Sequence, residues 1–352
     1  MSRLDESQRR SRALTARNAA CLAVLMCCLC SGGGTCSSQA AEPLVNSYGV
    51  VQALSKPEVN SPARKSDSPQ PPPCIAESAF FTNFPKGFHW PDRGDELGLR
   101  VLEEYGSIFV ARGVVAPLVV IFPDRDAVAR WQSILSTQQA EFAGVPVRLQ
   151  SAAMQALMKA REEAFRAHLA ISPRGKDAAQ RSYDETLELW RSRVNPGLRH
   201  WVDKGRLSAA DAEGITRLPA REQAVKILEL EKRGLYFSKD FSKSIVFSVA
   251  PPGASQHLSM LAFDVKEHDN PVVRSILEHH GWFQTVTSDL PHFTYLGTNK
   301  DQLPSLGLKM VRRGERGFWI PDIECPAGAH MASDAKVFSA SAVQERPQHR
   351  DH

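Results

Sequence analysis

The sequence predicts an α+β fold in which helices pack on a small, mostly antiparallel sheet. Apolar residues recur at helical spacing mainly in the earlier part of the folded region, whereas short apolar runs bounded by Pro and Gly cluster after residue 244. Helices and strands that are segregated along a chain are typical of this class. The 352 residues are 42% hydrophobic and 23% charged, which is ordinary for a globular protein.

Caps, chain breakers and periodicity place the individual elements. Ser151 and Ser208 stand at predicted helix starts, and Asn270-Pro271 opens a helix that Gly281 ends. The predicted buried face of the helix at Ser151 consists of Met154, Leu157, Met158, Phe165 and Leu169. Helices are predicted at residues 124–135, from 151, 183–194, from 208, 222–232 and 271–280. Strands are predicted at residues 118–122, 147–149, 245–249, 261–265, 282–286 and 293–296.

Residues 1–40 have the pattern of an export signal. Five arginines precede a short apolar run, and Ser38-Gln39-Ala40 resembles a cleavage site. The alternatives are an uncleaved membrane anchor and a lipid on Cys28 or Cys36. The predicted organisation is a signal peptide at 1–40, a Pro/Ser-rich linker at 41–75, an α/β subdomain at 76–145, a main domain at 146–326 and a disordered tail at 327–352.

Removal of the signal changes the charge and the cysteine content. Residues 1–40 carry five arginines and two acids, so the rest of the chain keeps only about +1 of the total net charge of +4. No basic stripe remains, and nucleic acid is therefore excluded as a partner. Only Cys74 and Cys325 lie outside the signal. In an oxidising compartment they would form one disulfide, and two free thiols are the alternative.

Two segments contain residue types that bind a metal. His257 precedes a predicted strand that includes Asp264, and His292 begins the last strand. Two imidazoles and a carboxylate leave one position for water, as catalytic zinc sites require. Zinc lowers the pKa of a bound water from about 16 towards 7. Asp289, three residues before His292, is the candidate base for its proton.

These segments resemble the VanY-type D-alanyl-D-alanine carboxypeptidases, zinc peptidases of peptidoglycan with a Hedgehog/DD-peptidase-like fold. Ser255, His257, Ala262 and Asp264 match the family pattern S-x-H-x-x-G-x-A-x-D, and Asp289, His292, Phe293 and Tyr295 match E-x-W-H-F-x-Y. The resemblance covers roughly residues 150–300. It implies that His257, Asp264 and His292 bind one Zn²⁺ and that Asp289 is the catalytic base. Three positions depart from the pattern: Met260 replaces Gly, Pro291 replaces Trp, and Asp289 replaces Glu.

The resemblance also implies an arginine that binds the terminal carboxylate of the substrate. Arg181-Ser182-Tyr183 is similar to the family's Y-R-S-Y segment, which makes Arg181 the first candidate. Arg174 is the alternative, because it too follows a helix and a short apolar step. A planar guanidinium can bind a carboxylate through two parallel hydrogen bonds. Ser255 is a further candidate substrate-binding residue.

The resulting hypothesis is an exported, periplasmic or cell-envelope zinc D,D-carboxypeptidase that acts on peptidoglycan stem peptides. D,D-dipeptidase and endopeptidase specificities stay open. A non-catalytic zinc-containing module that binds cell-wall peptides is the alternative, and a purely structural exported protein is the third class. A monomer without a membrane span after signal cleavage is expected. Walker, dinucleotide-binding, G-x-S-x-G and H-E-x-x-H motifs are absent from the sequence.

The pair His279-His280 is interpreted as a helix end. Adjacent residues on a helix point about 100° apart, so two neighbouring histidines are poorly placed to share an ion. A histidine near a helix C-terminus is favoured in its cationic form by the helix dipole.

Overall fold

The predicted alternation of helices and short strands is present in the computed structural model, which describes residues 78–92 and 94–323. In this part of the chain the helices are α1 (Ala79–Thr82), α2 (Glu96–Tyr105), α3 (Arg125–Ser133), α4 (Ser151–Arg166), α5 (Tyr183–Asp203), α6 (Ala209–Arg217), α7 (Ala220–Lys232) and α8 (Pro271–His279). The strands are β1 (Thr137–Phe142), β2 (Val145–Gln150), β3 (Ala262–Asp264), β4 (Trp282–Phe283), β5 (His292–Tyr295), β6 (Leu308–Arg313) and β7 (Arg316–Pro321).

The strands of the described region form three small antiparallel sheets. A central sheet has the order β3-β5-β4, and β1-β2 and β6-β7 are hairpins. In the central sheet Asp264 lies directly opposite His292. The mixture of helices with small antiparallel sheets confirms the predicted α+β class.

Side-chain caps explain where several helices begin. Ser182 and Glu185 form a capping box at the start of α5, and this reciprocal pair satisfies two backbone N–H groups that a helix start leaves free. Asp124 caps α3, Ser208 caps α6 and Asn270 caps α8. Each such cap contributes about 1 kcal/mol to stability. Because the capping residue directly precedes its helix, these boundaries can be predicted from the sequence.

Large apolar side chains cover the face of the central sheet opposite to Asp264 and His292. Phe263, Phe293 and Trp282 are fully buried there, and the burial of each such side chain contributes about 1.5–3 kcal/mol. Phe109, from the predicted subdomain 76–145, belongs to the same hydrophobic cluster as these residues. The two predicted domains thus contribute to one core, and their boundary at residue 145 stays a prediction.

Two predicted strands are wrong. Of residues 118–122, only Val119 forms a β-bridge, with His89. Residues 245–247 form a 3₁₀ turn. For residues 245–247, the reason is that side chains occupy the backbone hydrogen-bonding groups. Ile245 N donates to the Glu231 carboxylate at 2.7 Å, and the Val246 carbonyl accepts from Tyr105 Oη at 2.5 Å.

The predicted buried face of α4 is also partly wrong. Met158 is 46% exposed and Phe165 is 78% exposed. The buried side of this helix consists of Ala153, Met154, Leu157, Ala160 and Ala164. Small alanines allow close packing against the neighbouring elements, and a pattern that weights only large apolar residues misses them. The β6-β7 hairpin was not predicted either, because its buried and partly buried residues do not alternate regularly along the strands.

Several predictions lie outside the described residues: the signal peptide at 1–40, the linker at 41–75, the tail at 327–352 and the pairing of Cys74 with Cys325. A hydrogen bond joins the two ends of the described region: Ser78 Oγ donates to the Asp322 carbonyl oxygen at 3.0 Å. In residues 78–323, position 93 aside, no helix has both the length and the apolar character needed to cross a membrane.

Candidate metal centre

His257 lies in a tight turn rather than in a strand. Residues Gln256–Ser259 form a 3₁₀ turn that ends at Met260, whose backbone is left-handed with φ 54°. This conformation is strained for a side chain with a Cβ and free of strain for glycine. The departure of Met260 from the family's Gly therefore falls where glycine has a conformational advantage. The Met260 side chain is fully buried and packs in the interior.

The central sheet places Asp264 and His292 together. Asp264 ends β3, His292 begins β5, and the two are directly opposite in the antiparallel register. Opposite residues of antiparallel strands point to the same face of the sheet. His292 Nδ1 consequently lies 3.1 Å from Asp264 Oδ1.

In each imidazole, the nitrogen that points away from Asp264 forms a hydrogen bond, and this bond determines whether the nitrogen that faces Asp264 carries a proton. His257 Nδ1 is 2.6 Å from the Ala179 carbonyl oxygen, which can only accept. His292 Nε2 is 2.9 Å from Gln256 Oε1. A neutral imidazole has one N–H group. His257 Nε2 and His292 Nδ1 are therefore bare nitrogen atoms.

The orientation of the Gln256 amide follows from its other contacts. Gln256 Nε2 donates to the Tyr105 carbonyl oxygen at 2.8 Å, so its oxygen must point towards His292. Thr294 Oγ1 donates to the same amide oxygen at 2.5 Å, and Thr285 Oγ1 lies 2.6 Å from Thr294 Oγ1. This support of His292 was not predicted from the sequence. Gln256, directly before the candidate ligand His257, was the only indication of it in the sequence.

Three lone-pair atoms thus converge in the interior. His257 Nε2 is 3.3 Å from Asp264 Oδ1, is buried and makes no hydrogen bond within the described region. Bare nitrogens beside a carboxylate oxygen repel one another unless a cation lies between them. Ligand atoms of a tetrahedral zinc site with bonds of about 2.0–2.1 Å are about 3.3 Å apart. The spacing of His257, Asp264 and His292 matches this requirement.

The charge states of these residues also suit a metal. Burial lowers the pKa of His257 and keeps the imidazole neutral. Burial opposes the ionisation of Asp264, but a proton on His257 or His292 favours its ionised form, and the pKa of this carboxyl is held well below its usual range. Metal ligands must be neutral imidazoles and ionised carboxylates, and the pKa shifts of His257 and Asp264 are both in the direction that this requires.

Residues 174–181, which precede α5, lie against β3 and contact Asp264 through backbone and side-chain groups. Arg174 N donates to the Asp264 carbonyl, and Asp264 N donates to the Ala178 carbonyl. Arg181 Nη2 donates to Asp264 Oδ2 at 2.9 Å and lies 3.4 Å from Asp177 Oδ2. Its side chain is only 14% exposed. Arg181 therefore engages the outer oxygen of the carboxylate whose inner oxygen faces the histidines.

A cavity of about 480 Å³ opens onto the three converging residues. Arg174 and Asp289 are exposed there, and neither side chain has a hydrogen-bond or ion-pair partner among the described residues. Asp289 precedes His292 by one turn, in which His292 N donates to the Asp289 carbonyl. The cavity is lined by every described residue that the sequence predicts for the site: His257, Asp264, His292, Asp289, Arg174, Arg181 and Ser255.

Comparisons with known proteins add little to this geometry. No family model matches the chain, and no curated protein matches it. Among solved structures, it is similar to the crystal structure of a mutant of the vancomycin resistance D,D-pentapeptidase VanY, from a VanB-type resistance cassette, in complex with Zn(II). The identity is 16%, the TM-score is 0.29, and the similarity covers 47% of this chain and 82% of that chain. A likeness of this extent is too small to support a conclusion about fold or function.

Proposed function

We propose that the chain is an exported zinc-dependent D,D-carboxypeptidase that hydrolyses D-alanyl-D-alanine-type bonds in peptidoglycan stem peptides. The observation that carries this proposal is the convergence of His257 Nε2, His292 Nδ1 and Asp264 Oδ1 in a buried position that opens onto a cavity. The motif resemblance around these residues supplies the substrate class. The export signal predicted for residues 1–40 supports a location where peptidoglycan is found.

Zinc bound at this position would supply Lewis-acid chemistry for an amide carbonyl and would activate a water at neutral pH. Hydrolysis adds that water across the peptide bond, so that one product gains a carboxylate and the terminal D-alanine gains its amine. The residues of the chain have to orient the substrate and move one proton from the water to the leaving nitrogen.

Asp289 is the residue proposed to move this proton. Its carboxylate is exposed in the cavity, is free of partners among the described residues, and lies one turn before His292. A general base must reach within about 3 Å of the atom whose proton it takes, directly or through a water. Aspartate is one methylene shorter than the family's glutamate, and the turn formed by Asp289 and His292 sets how far the carboxylate reaches.

Arg174 is the better placed of the two arginines to bind the substrate carboxylate. The guanidinium of Arg181 is already engaged by Asp264 and Asp177. Arg174 is exposed in the same cavity without a partner among the described residues. We therefore assign carboxylate binding to Arg174 and the orientation of Asp264 to Arg181.

The test combines metal analysis with a substrate assay. Purified protein should contain stoichiometric zinc and should release D-alanine from a synthetic pentapeptide stem that ends in D-Ala-D-Ala. Asp289→Asn should keep the zinc and lose about 10²–10⁴-fold in rate, which is the usual contribution of a general base. Asp301→Asn, an exposed change outside the cavity, is the matched control. Product masses distinguish carboxypeptidase, dipeptidase and endopeptidase cleavage.

The second candidate function is a non-catalytic module that binds cell-wall peptides. The shorter Asp289 in place of glutamate is the observation that favours it. Stoichiometric zinc and peptide binding without release of D-alanine would support this module. A protein without stoichiometric zinc would contradict both functions.

A further inference from the structure

A second group of two histidines and one carboxylate lies on the surface between α4 and α8. His280 Nε2 is 2.7 Å from Glu163 Oε2, and His279 Nδ1 is 3.2 Å from the same oxygen. The candidate ligand atoms of Glu163, His279 and His280 all lie within 4.8 Å of one another. These residues are absent from the lining of the cavity described above.

The end of α8 explains how two adjacent histidines can face one carboxylate. His279 is the last helical residue, whereas His280 is the C-cap with φ −100° and ψ 20°. Gly281 then adopts the left-handed conformation with φ 78° and turns the chain towards β4. The angle of about 100° between neighbours applies only inside a helix. Because His280 has left the helix, its ring converges with that of His279.

The three groups have the chemistry of a metal-binding set. One carboxylate and two imidazoles supply oxygen and nitrogen ligands of the kind that zinc binds. The 3.2 Å between His279 Nδ1 and Glu163 Oε2 is close to the ligand separation of about 3.3 Å in a tetrahedral zinc site. The 2.7 Å between His280 Nε2 and Glu163 Oε2 is a hydrogen-bond distance, which an ion between the two atoms would lengthen. The side chains of Glu163 and His279 are 38% and 72% exposed, which leaves room for a water to complete the coordination.

We propose that Glu163, His279 and His280 form a second metal site, selective for borderline transition-metal dications such as Zn²⁺, Cu²⁺ or Ni²⁺. Imidazole ligands favour these ions over Mg²⁺ and Ca²⁺. A bound ion would join α4 to the C-terminal end of α8, which leads directly into β4 of the central sheet. The role is structural, and it does not depend on the proposed peptidase activity.

The experiment counts ions in the full chain after equilibration with ZnCl₂ and removal of loosely held metal. The wild-type protein should bind one more zinc ion than Glu163→Gln, which keeps the size of the side chain and removes its charge. Glu162→Gln is the matched control, because Glu162 is the exposed neighbour on α4 and pairs with Arg166. His292→Ala should lose the buried ion and keep the surface ion.

Thermal unfolding with and without zinc supplies a second measurement. Zinc should raise the Tm of Glu163→Gln less than that of the wild type and of Glu162→Gln, since an ion that binds only the folded state stabilises it. Equal zinc content and equal zinc-dependent shifts in the three proteins would overturn the proposal and would identify the cluster as ordinary His–Glu ion pairs. An excess of Mg²⁺ that displaced the second ion would overturn the assigned selectivity.

Discussion

The buried cluster of His257, Asp264 and His292 and the surface cluster of Glu163, His279 and His280 contain the same residue types in different surroundings. In the buried cluster, an amide oxygen and a carbonyl oxygen accept hydrogen bonds from the ring N–H groups, and the bare nitrogens face the carboxylate. In the surface cluster, the rings face Glu163 with no such acceptors behind them in the described structure. The two clusters therefore differ in burial and in the hydrogen bonds behind the rings, and not in composition. The buried cluster is preorganised for a metal, whereas water can hydrogen-bond to the polar groups of the surface cluster.

The comparison also separates the two proposed roles. The buried cluster opens onto a cavity with a free arginine and a free aspartate, which a reaction requires. The surface cluster lies at the end of a helix and does not line this cavity. An ion at the surface can therefore join two elements, whereas an ion in the interior can act on a bound substrate.

The largest expected difference between the clusters is in hydrolysis. His292→Ala should lower the rate of D-alanine release by about a thousandfold or more, because several kcal/mol of transition-state stabilisation by the metal are lost. His280→Ala should leave the rate unchanged. Steady-state kinetics with a pentapeptide stem measures both variants. Undiminished turnover in His292→Ala would contradict the assignment of the buried site.

The free arginine of the cavity should distinguish substrates by their terminal charge. Arg174→Gln should lower kcat/KM for a free C-terminal carboxylate by about 10- to 100-fold, as expected for the loss of a charged hydrogen bond. It should have little effect on a peptide with an amidated C-terminus. Arg191→Gln, an exposed change on α5, is the control. If Arg181→Gln abolished this preference with zinc retained, while Arg174→Gln did not, the roles of the two arginines would be reversed.

The outer hydrogen bonds of the buried cluster should control its affinity for zinc. Gln256→Met removes the acceptor for His292 Nε2 and should weaken zinc binding by about 10- to 100-fold, the usual effect of losing such a partner. Gln223→Met is the matched control, because Gln223 is also buried and hydrogen-bonded but lies outside the cavity. Competition with a chelator measures both affinities. A similar loss in both variants would indicate general destabilisation.

A third carboxylate shows what burial does without histidines nearby. Burial raises the pKa of Glu231 to about 7, although Ser244 and two backbone N–H groups donate to it. The pKa of Asp264 shifts the other way because a proton on His257 or His292 favours its ionised form. Two buried carboxylates with opposite shifts separate the effect of burial from the effect of the neighbouring imidazoles.

Glu231 should therefore make the folded protein less stable as the pH rises. Because its folded-state pKa exceeds its unfolded value, its stabilising contribution is complete below about pH 4.5 and is lost by about pH 7. The loss is at most about 3 kcal/mol for a shift of this size. Glu104, whose pKa burial also raises to about 7, acts in the same direction.

Glu231→Gln should flatten this part of the pH dependence. Urea unfolding between pH 5 and 8, with the metal removed from both proteins, gives the free energies of unfolding for the comparison. Glu229→Gln is the control, since Glu229 is exposed on the same helix and pairs with Lys226. A wild-type slope that persists in Glu231→Gln would assign the pH dependence to Glu104 or to other groups.

Sequence patterns were sufficient for helix starts that are set by a local cap. The caps of α3, α5, α6 and α8 involve residues within a few positions of each other, and their side chains signal the helix starts. Predictions were wrong where distant groups decided the outcome. The backbone at residues 245–247 forms no strand because Glu231, 14 positions away, and Tyr105, 141 positions away, form hydrogen bonds with it.

The sequence by itself determined the fold class and the residue types of the candidate site, because apolar period, caps and the two ordered motifs are properties of neighbouring residues. Only the tertiary structure decided that Asp264 lies opposite His292, that Gln256 and Ala179 orient the two rings, and that Arg181 is paired while Arg174 is free. These contacts join segments up to about 80 positions apart, and their geometry depends on strand register and burial, which a local pattern does not contain.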